Sequence, residues 1–482
     1  MCLLPTHDRS RLRAPCSPSR GRLRRRPRDA VFAVLSLRRR VLPVERRTRE
    51  GCVSAPGRHS CRGRRVRCRR SRVRRTCRQD VARARNTRGG DAVVRRRARD
   101  RDVARARGDR ARAARPMIVV VFGTTGELIK LAPVLLRFDE RRHEYLLATT
   151  GQQVQQIPPF LEQFGLRQPD VWLARGARGR DLRVNRDIPG WLVDVARAGV
   201  RQRPRLRAAF RDGPGRPLVL VHGDTMTTVV GATMGRALRV PVAHIEGGLR
   251  SYDVRHPFPE ELNRRLASSL SRIDYAPGAW AASNLRGSHV VDTGSNTIRD
   301  SLELVPDGDP PLDLPEKPFG VVSLHRFELL NSRALLTETL EALAEAARRT
   351  PLLFVDHPVT VAAIERFRLQ RLFDGRTFVP VARLRFFDFV RVVRRSSFVI
   401  TDSGGSQEEC FYLDLPCLVH RVRTERREGL GENVVLSGMQ TDVVRDFLAD
   451  PSRYRRLTPL PTASPSDVIV DDLERRGFAA AR

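Results

Sequence analysis

Three carboxylates stand at the ends of short apolar runs in the middle of this chain. Asp224 closes LVLVHGD (218–224), Glu246 follows PVAHI (241–245), and Glu260 opens EELNRR behind Pro259. Between the first two runs, apolar residues recur every three or four positions, and Thr225 is placed to cap a helix. Strand, helix and strand of this length make one βαβ unit, which sets Asp224 and Glu246 on the same rim of a parallel sheet. Glu260 and Glu261 then begin another helix, where the macrodipole favours negative charge. Carboxylates gathered in one crevice raise one another's pKa, so one can stay protonated as an acid while another accepts a proton. His325 ends the run GVVSLH (320–325). An imidazole titrates near neutrality and suits proton transfer; a merely packed histidine is the competing reading. His244, two residues before Glu246, reads as packed.

Other stretches have the chemistry of anion binding. In TDSGGSQEE (401–409), Ser403, Gly404 and Gly405 form a tight turn, and a helix is predicted from about Ser406. Free N–H groups and the positive helix end suit a phosphate there. Glu409 lies about a turn further on, where a carboxylate can accept both hydroxyls of a ribose. A plain strand-to-helix turn is the alternative. FGTTG (122–126) precedes a helix predicted from about Glu127, and Gly123 and Gly126 allow close approach of a ligand to the backbone. Lys130 on that helix has three readings: a phosphate partner, a carboxylate partner or a surface residue. Glu425, Arg426 and Arg427 read equally as a solvated charge run. HGD with later carboxylates lacks HExxH or DxD spacing, so no metal is expected.

The elements that must position these groups alternate throughout. From Met117 onward, apolar strands alternate with amphipathic helices in two blocks, 117–306 and 307–460, joined at the Pro- and Asp-rich DGDPPLDLPEKP (307–318). Residues 172–216 read as helical with loop breaks, and 461–482 as a tail or helix. Alternation in both blocks predicts an α/β fold of two doubly wound, Rossmann-like domains facing a central cleft.

Residues 1–116 differ in kind. They hold 39 arginines, no lysine and 9 acids, against 51 basic and 45 acidic residues in the remainder. Isolated apolar residues between arginines cannot offset the entropy of ordering, so the segment is expected to be disordered. Its composition suggests an upstream, mis-called start or an inert tail. A polyanion-binding arm is the alternative, weakened by the near absence of aromatic residues for base stacking. Six of the eight cysteines fall here without paired metal spacing.

Taken in order, the motifs resemble the non-hydrolysing UDP-N-acetylglucosamine 2-epimerases, which have the two-domain GT-B fold. The matching pieces are FGT-x-x-E-x-IK-x-AP (122–133), TGQ (150–152), HGDT-x-TT (222–228) and PVAHIEGGLR (241–250). PFPEELNRR (257–265), HR-x-E (325–328), TDSGGSQEE and TERREG (424–429) follow. The resemblance implies inversion at C2 of the sugar by eliminating UDP to 2-acetamidoglucal and adding it back, with no metal or nicotinamide cofactor. It places acid–base chemistry on Asp224, Glu246, Glu260 and His325. It places substrate contacts on Lys130, Gln152, Arg250, Ser403, Gly404, Gly405 and Glu409. The expected partners are a UDP-sugar and a second copy of the chain, in the cytoplasm, with neither membrane nor nucleic acid. A hydrolysing epimerase, a GT-B glycosyltransferase, a catalytically silent nucleotide-sugar binder and an arginine-arm nucleic-acid binder are the rivals. Departures from the family pattern fall at Thr125-Gly126, Gln153, Phe327 and Leu329, and predict weak or absent regulation by a second substrate molecule.

Overall fold

Seven short apolar segments, β1 (Ile118–Phe122), β2 (Tyr145–Thr149), β3 (Val171–Trp172), β4 (Leu218–His222), β5 (Val242–Ile245), β6 (Ile273–Ala276) and β7 (Val290–Asp292), form one parallel sheet. Its strand order is 3-2-1-4-5-6-7. A second parallel sheet holds β8 (Gly320–Ser323), β9 (Leu352–Asp356), β10 (Phe378–Ala382), β11 (Phe398–Thr401), β12 (Cys417–Val419) and β13 (Val434–Leu436), in the order 10-9-8-11-12-13. The computed structural model describes residues 118–479 apart from 183–184, 212–215, 254–258, 288 and 317. The arginine-rich segment 1–116 lies outside the described residues.

Both sheets are covered on two faces, which explains why their central strands read as unbroken apolar runs. In β1 and β4, Val120, Phe122, Leu218 and Leu220 join one core cluster, while Val119, Val121, Val219 and Val221 join another. The second sheet divides the same way, with Val322 and Ile400 on one side and Val321 and Val399 on the other. Helix Met226–Leu238 lies close against the first sheet because Gly231 faces it. A Cβ there would stand 2.6 Å from Val221 Cγ1.

The strand order reverses between β1 and β4 and again between β8 and β11. At such points the loops at the carboxyl ends diverge and leave a crevice. Helix Thr125–Glu140 starts at the first reversal through a reciprocal cap between Thr124 and Glu127. Helix Gly404–Tyr412 starts at the second, capped by Ser403.

Two expectations are refined. Residues 172–216 contain one 24-residue helix, Ile188–Arg211, which carries Pro204 within it. The segment after 460 forms a helix, Pro465–Arg475, that returns to the first lobe. Its Ile469, Val470 and Leu473 enter the first core. Asp467 pairs with Arg137 at 2.9 Å and Arg141 at 3.0 Å, and the Tyr275 hydroxyl donates to Asp472 at 3.0 Å. The lobes also meet where Phe164 packs edge-on to Phe387, with ring centroids 4.9 Å apart. No helix among the described residues is long and apolar enough to cross a membrane.

Candidate active site

The two reversal points open onto a common cavity of about 380 Å³, lined from the first lobe by Lys130, His222, Asp224, Glu246 and Glu260. Ser403, Gly404, Gly405, Glu409, Glu425 and Arg426 line it from the second lobe. A neighbouring cavity of about 720 Å³ shares Gly126, Ile129, Ser403 and Glu409 with it, and is lined further by Gln153, His325 and His357.

The loop geometry follows from local sequence. Glu127 reaches back over the first turn and accepts from the backbone N–H of Gly123 at 2.7 Å and of Thr124 at 2.8 Å. Its other oxygen accepts from the Thr225 hydroxyl at 2.5 Å, tying the β1 loop to the β4 loop. In the second lobe Asp402 plays the matching part, accepting from the backbone N–H of His325 at 2.7 Å and of Arg326 at 2.8 Å. Gly404 is required where it stands, because a Cβ would meet Arg426 Nε and Glu425 Oε1 at 2.9 Å each.

The three carboxylates are held differently. Glu246 lies just past β5 with φ 68°, a left-handed conformation that turns its side chain away from the strand register. It is buried and accepts from Asn296 Nδ2 at 2.7 Å, Arg426 Nη2 at 3.0 Å and Lys130 Nζ. Burial opposes its charge, yet Arg426 and Lys130 outweigh it and hold the carboxyl well below the usual range. Asp224 accepts from Arg264 Nη2 at 2.5 Å, and Arg264 in turn stands 3.5 Å from Glu425. Glu260 has a buried Oε2 without a protein partner. Burial and the Asp224 charge raise its pKa. Glu261 faces the other way, accepting from the Ser251 N–H at 2.9 Å and Arg265 Nε at 2.9 Å.

His325 stands in the larger cavity. Its ring lies 4.5 Å from that of His357, and its Nδ1 is 3.2 Å from Asp402 Oδ1. Burial, with Arg326, Arg383 and Arg421 nearby, pushes it down to about 4. That shift moves the imidazole away from the near-neutral range expected of a free histidine and favours its neutral form. His244 is a packed residue, its Nε2 donating to the Gly223 carbonyl at 2.8 Å.

Among the expected substrate contacts, Ser403, Gly404, Gly405 and Glu409 line the cavity, and burial pushes Glu409 up to about 7. Lys130 also lines it, but its ammonium is held between two carboxylates, Glu246 and Glu408. Gln152 and Arg250 are outside both cavities. The Gln152 amide donates to Thr227 Oγ1 at 2.7 Å, and Arg250 donates to the Leu249 carbonyl at 2.8 Å.

Four neighbours of the site, Glu408, Glu425, Arg426 and His222, fall inside the quoted motifs but received no role from them. Glu408 accepts from Asn296 at 2.9 Å, Lys130 at 2.9 Å and Arg426. Glu425 and Arg426 are only 4% and 6% exposed, so the solvated-run reading holds for Arg427 alone. His222 is buried 3.7 Å from Glu246, and neither ring nitrogen has a hydrogen-bond partner. The T-x-x-E box at Thr124 was a readable signal for Glu127. Nothing local marks Glu408, whose partners come from residues 130, 296 and 426. Among the described residues no three His, Cys, Asp or Glu side chains are grouped to hold a metal ion.

Two doubly wound lobes whose facing rims share such a cleft define the GT-B class. A family model described as UDP-N-acetylglucosamine 2-epimerase matches residues 214–454. The UDP-N-acetylglucosamine 2-epimerase of Bacillus subtilis is 30% identical over 74% of this chain and 94% of its own length. The UDP-2,3-diacetamido-2,3-dideoxy-D-glucuronate 2-epimerase of Pseudomonas aeruginosa is 29% identical over 70% of this chain and 91% of its own. Among solved structures, that of S. aureus MnaA with UDP superposes with a TM-score of 0.61 at 26% identity, covering 74% of this chain and 96% of that one. The chain belongs to the UDP-N-acetylglucosamine 2-epimerase family, whose members are isomerases.

Proposed function

We propose that the protein inverts C2 of UDP-N-acetylglucosamine, giving UDP-N-acetylmannosamine through elimination and re-addition of UDP. The observation that carries this is the meeting of Asp224, Glu246 and Glu260 in one cavity with the Ser403-Gly404-Gly405 helix start. The helix start supplies N–H donors and a positive dipole for a departing diphosphate, and electrostatic help of this kind is a large part of catalysis. In the elimination, Asp224 takes the C2 proton as the C1–O bond breaks and its electrons pass to the diphosphate. In the return step, Glu260 delivers a proton to the opposite face of C2, and UDP oxygen rebonds to C1. The raised pKa of Glu260 suits a donor. Glu246, held ionised by Arg426 and Lys130, favours positive charge developing at C1. His325 lies in the adjoining cavity, which is roomy enough for the nucleotide, and as a neutral imidazole it hydrogen-bonds the leaving group. The reading includes a homodimer acting in the cytoplasm.

Incubation with UDP-N-acetylglucosamine in deuterated water tests the reaction. Deuterium at C2 in both epimers is expected; free sugar plus UDP would show a hydrolysing enzyme instead. Asp224→Asn and Glu260→Gln should each slow exchange by about 100-fold or more while UDP affinity, read by calorimetry, changes little. If the P. aeruginosa relative's diacetamido-uronate exchanged and UDP-N-acetylglucosamine did not, the substrate assignment would pass to that sugar.

A further inference from the structure

The amino-terminal ends of β4 to β7, on the far edge of the first sheet from the cleft, enclose a second kind of pocket. It has a volume of about 580 Å³ and is lined by Arg216, Arg236, Arg239, Arg272, Arg476 and His289, with no acidic side chain in its lining among the described residues. Val240, Val242 and Ile273 lie beneath them.

These cations are fixed by backbone structure. Arg236 occupies the last turn of helix Met226–Leu238, and Arg239 caps it in the left-handed conformation. The Arg272 N–H donates to the Val242 carbonyl at 2.8 Å. The Arg216 N–H donates to the Gly477 carbonyl at 2.8 Å, and its guanidinium sits over the Phe478 ring at 5.1 Å. The carbonyl of His289 accepts from the Asp274 N–H at 3.0 Å. Among the described residues, only Arg476 of the five has a carboxylate partner, Asp472 at 2.7 Å. Helix carboxyl ends account for some positive charge here, since the macrodipole favours it. Helices Met226–Leu238, Glu260–Leu270 and Pro465–Arg475 end at this edge, each contributing about half a negative charge, which is well short of five guanidiniums.

We propose that this pocket binds an oligophosphate: two or more linked phosphates, free or carried by a nucleotide. Guanidinium groups match phosphate oxygens in paired hydrogen bonds, and several held around one volume favour a multiply charged anion over a single one. The site is separate from the cleft. Strand β4 runs between Arg216 and Asp224, which puts the two about 20 Å or more apart along the sheet. It also joins the carboxyl-terminal helix to the first sheet through Arg476, so an anion bound here braces that junction.

The test is arginine labelling of the full chain with phenylglyoxal, read peptide by peptide, so that this pocket is scored apart from the cleft. Inorganic pyrophosphate should slow labelling of Arg239 and Arg272 several-fold while leaving the exposed Arg333 and Arg349 unchanged. Orthophosphate should protect far less. The double variant Arg239→Asn/Arg272→Gln should remove protection of Arg236 and Arg216 while UDP still protects the cleft residue Arg426 as before. Equal protection at Arg333 and Arg349, or protection surviving in the double variant, overturns the proposal. ATP in place of pyrophosphate separates the two sources: protection by pyrophosphate alone assigns the free anion, and stronger protection by ATP assigns a nucleotide.

Discussion

Glu409 stands where the two cavities join, and burial has pushed its carboxyl up to about 7. If it accepts the ribose hydroxyls, it must be ionised to do so twice. Below its pKa the proton occupies one acceptor site, so UDP affinity should rise between about pH 6 and about pH 8, by up to about tenfold per unit. Calorimetry across that range measures it, and Glu409→Gln should flatten the curve at the low-pH level. At this scale the sequence was partly readable. Asp224, Glu260 and the Ser403 turn were visible because each sits where a strand or helix must end. Glu408, Arg426 and His222 were not, because their significance comes from burial against side chains on other elements: Lys130 and Asn296 for Glu408, and Glu246 for Arg426 and His222. The downward shift at His325 was hidden for a similar reason: burial and arginines from three separate segments cause it.

The loops that begin each helix carry the departures from the family pattern, and they have adjusted to one another. The Gln153 side-chain oxygen accepts from the Thr125 N–H at 2.7 Å and from its hydroxyl at 2.8 Å, so two of the altered positions form a single contact at the edge of the larger cavity. A closed pair of neutral groups offers less to a second anionic substrate than free cationic side chains would. Initial rates should therefore follow a hyperbola in UDP-N-acetylglucosamine, and a sigmoidal curve would contradict this. The cap at Thr124 is a separate element-level feature. Thr124→Ala removes a reciprocal cap and should cost about 1 kcal/mol in urea unfolding, with the loop after β1 loosened against Thr225. Element type and order were legible throughout because strands buried on both faces and amphipathic helices carry distinct periodicities. The long helix Ile188–Arg211 was blurred by its arginines and Pro204, which mimic loop breaks.

Across the whole molecule, the lobes share one buried ionic cluster: Lys130, Glu246 and Asn296 from the first, Glu408 and Arg426 from the second. Two cations balance two carboxylates, so removing one strands the others. Arg426→Met should destabilise the protein by about 3–5 kcal/mol, seen as a lower urea midpoint. The two-lobed architecture was readable from the alternation of elements, but the cluster joining the lobes was not, since no periodicity records contacts across a cleft. The same holds for the final helix, which pattern alone left as a tail or helix with no indication of where it packs. Because that helix docks on the first lobe, the backbone passes between lobes twice, through 304–319 and again through 450–464. A body attached to its neighbour by two straps opens like a door about the line joining them and resists twisting.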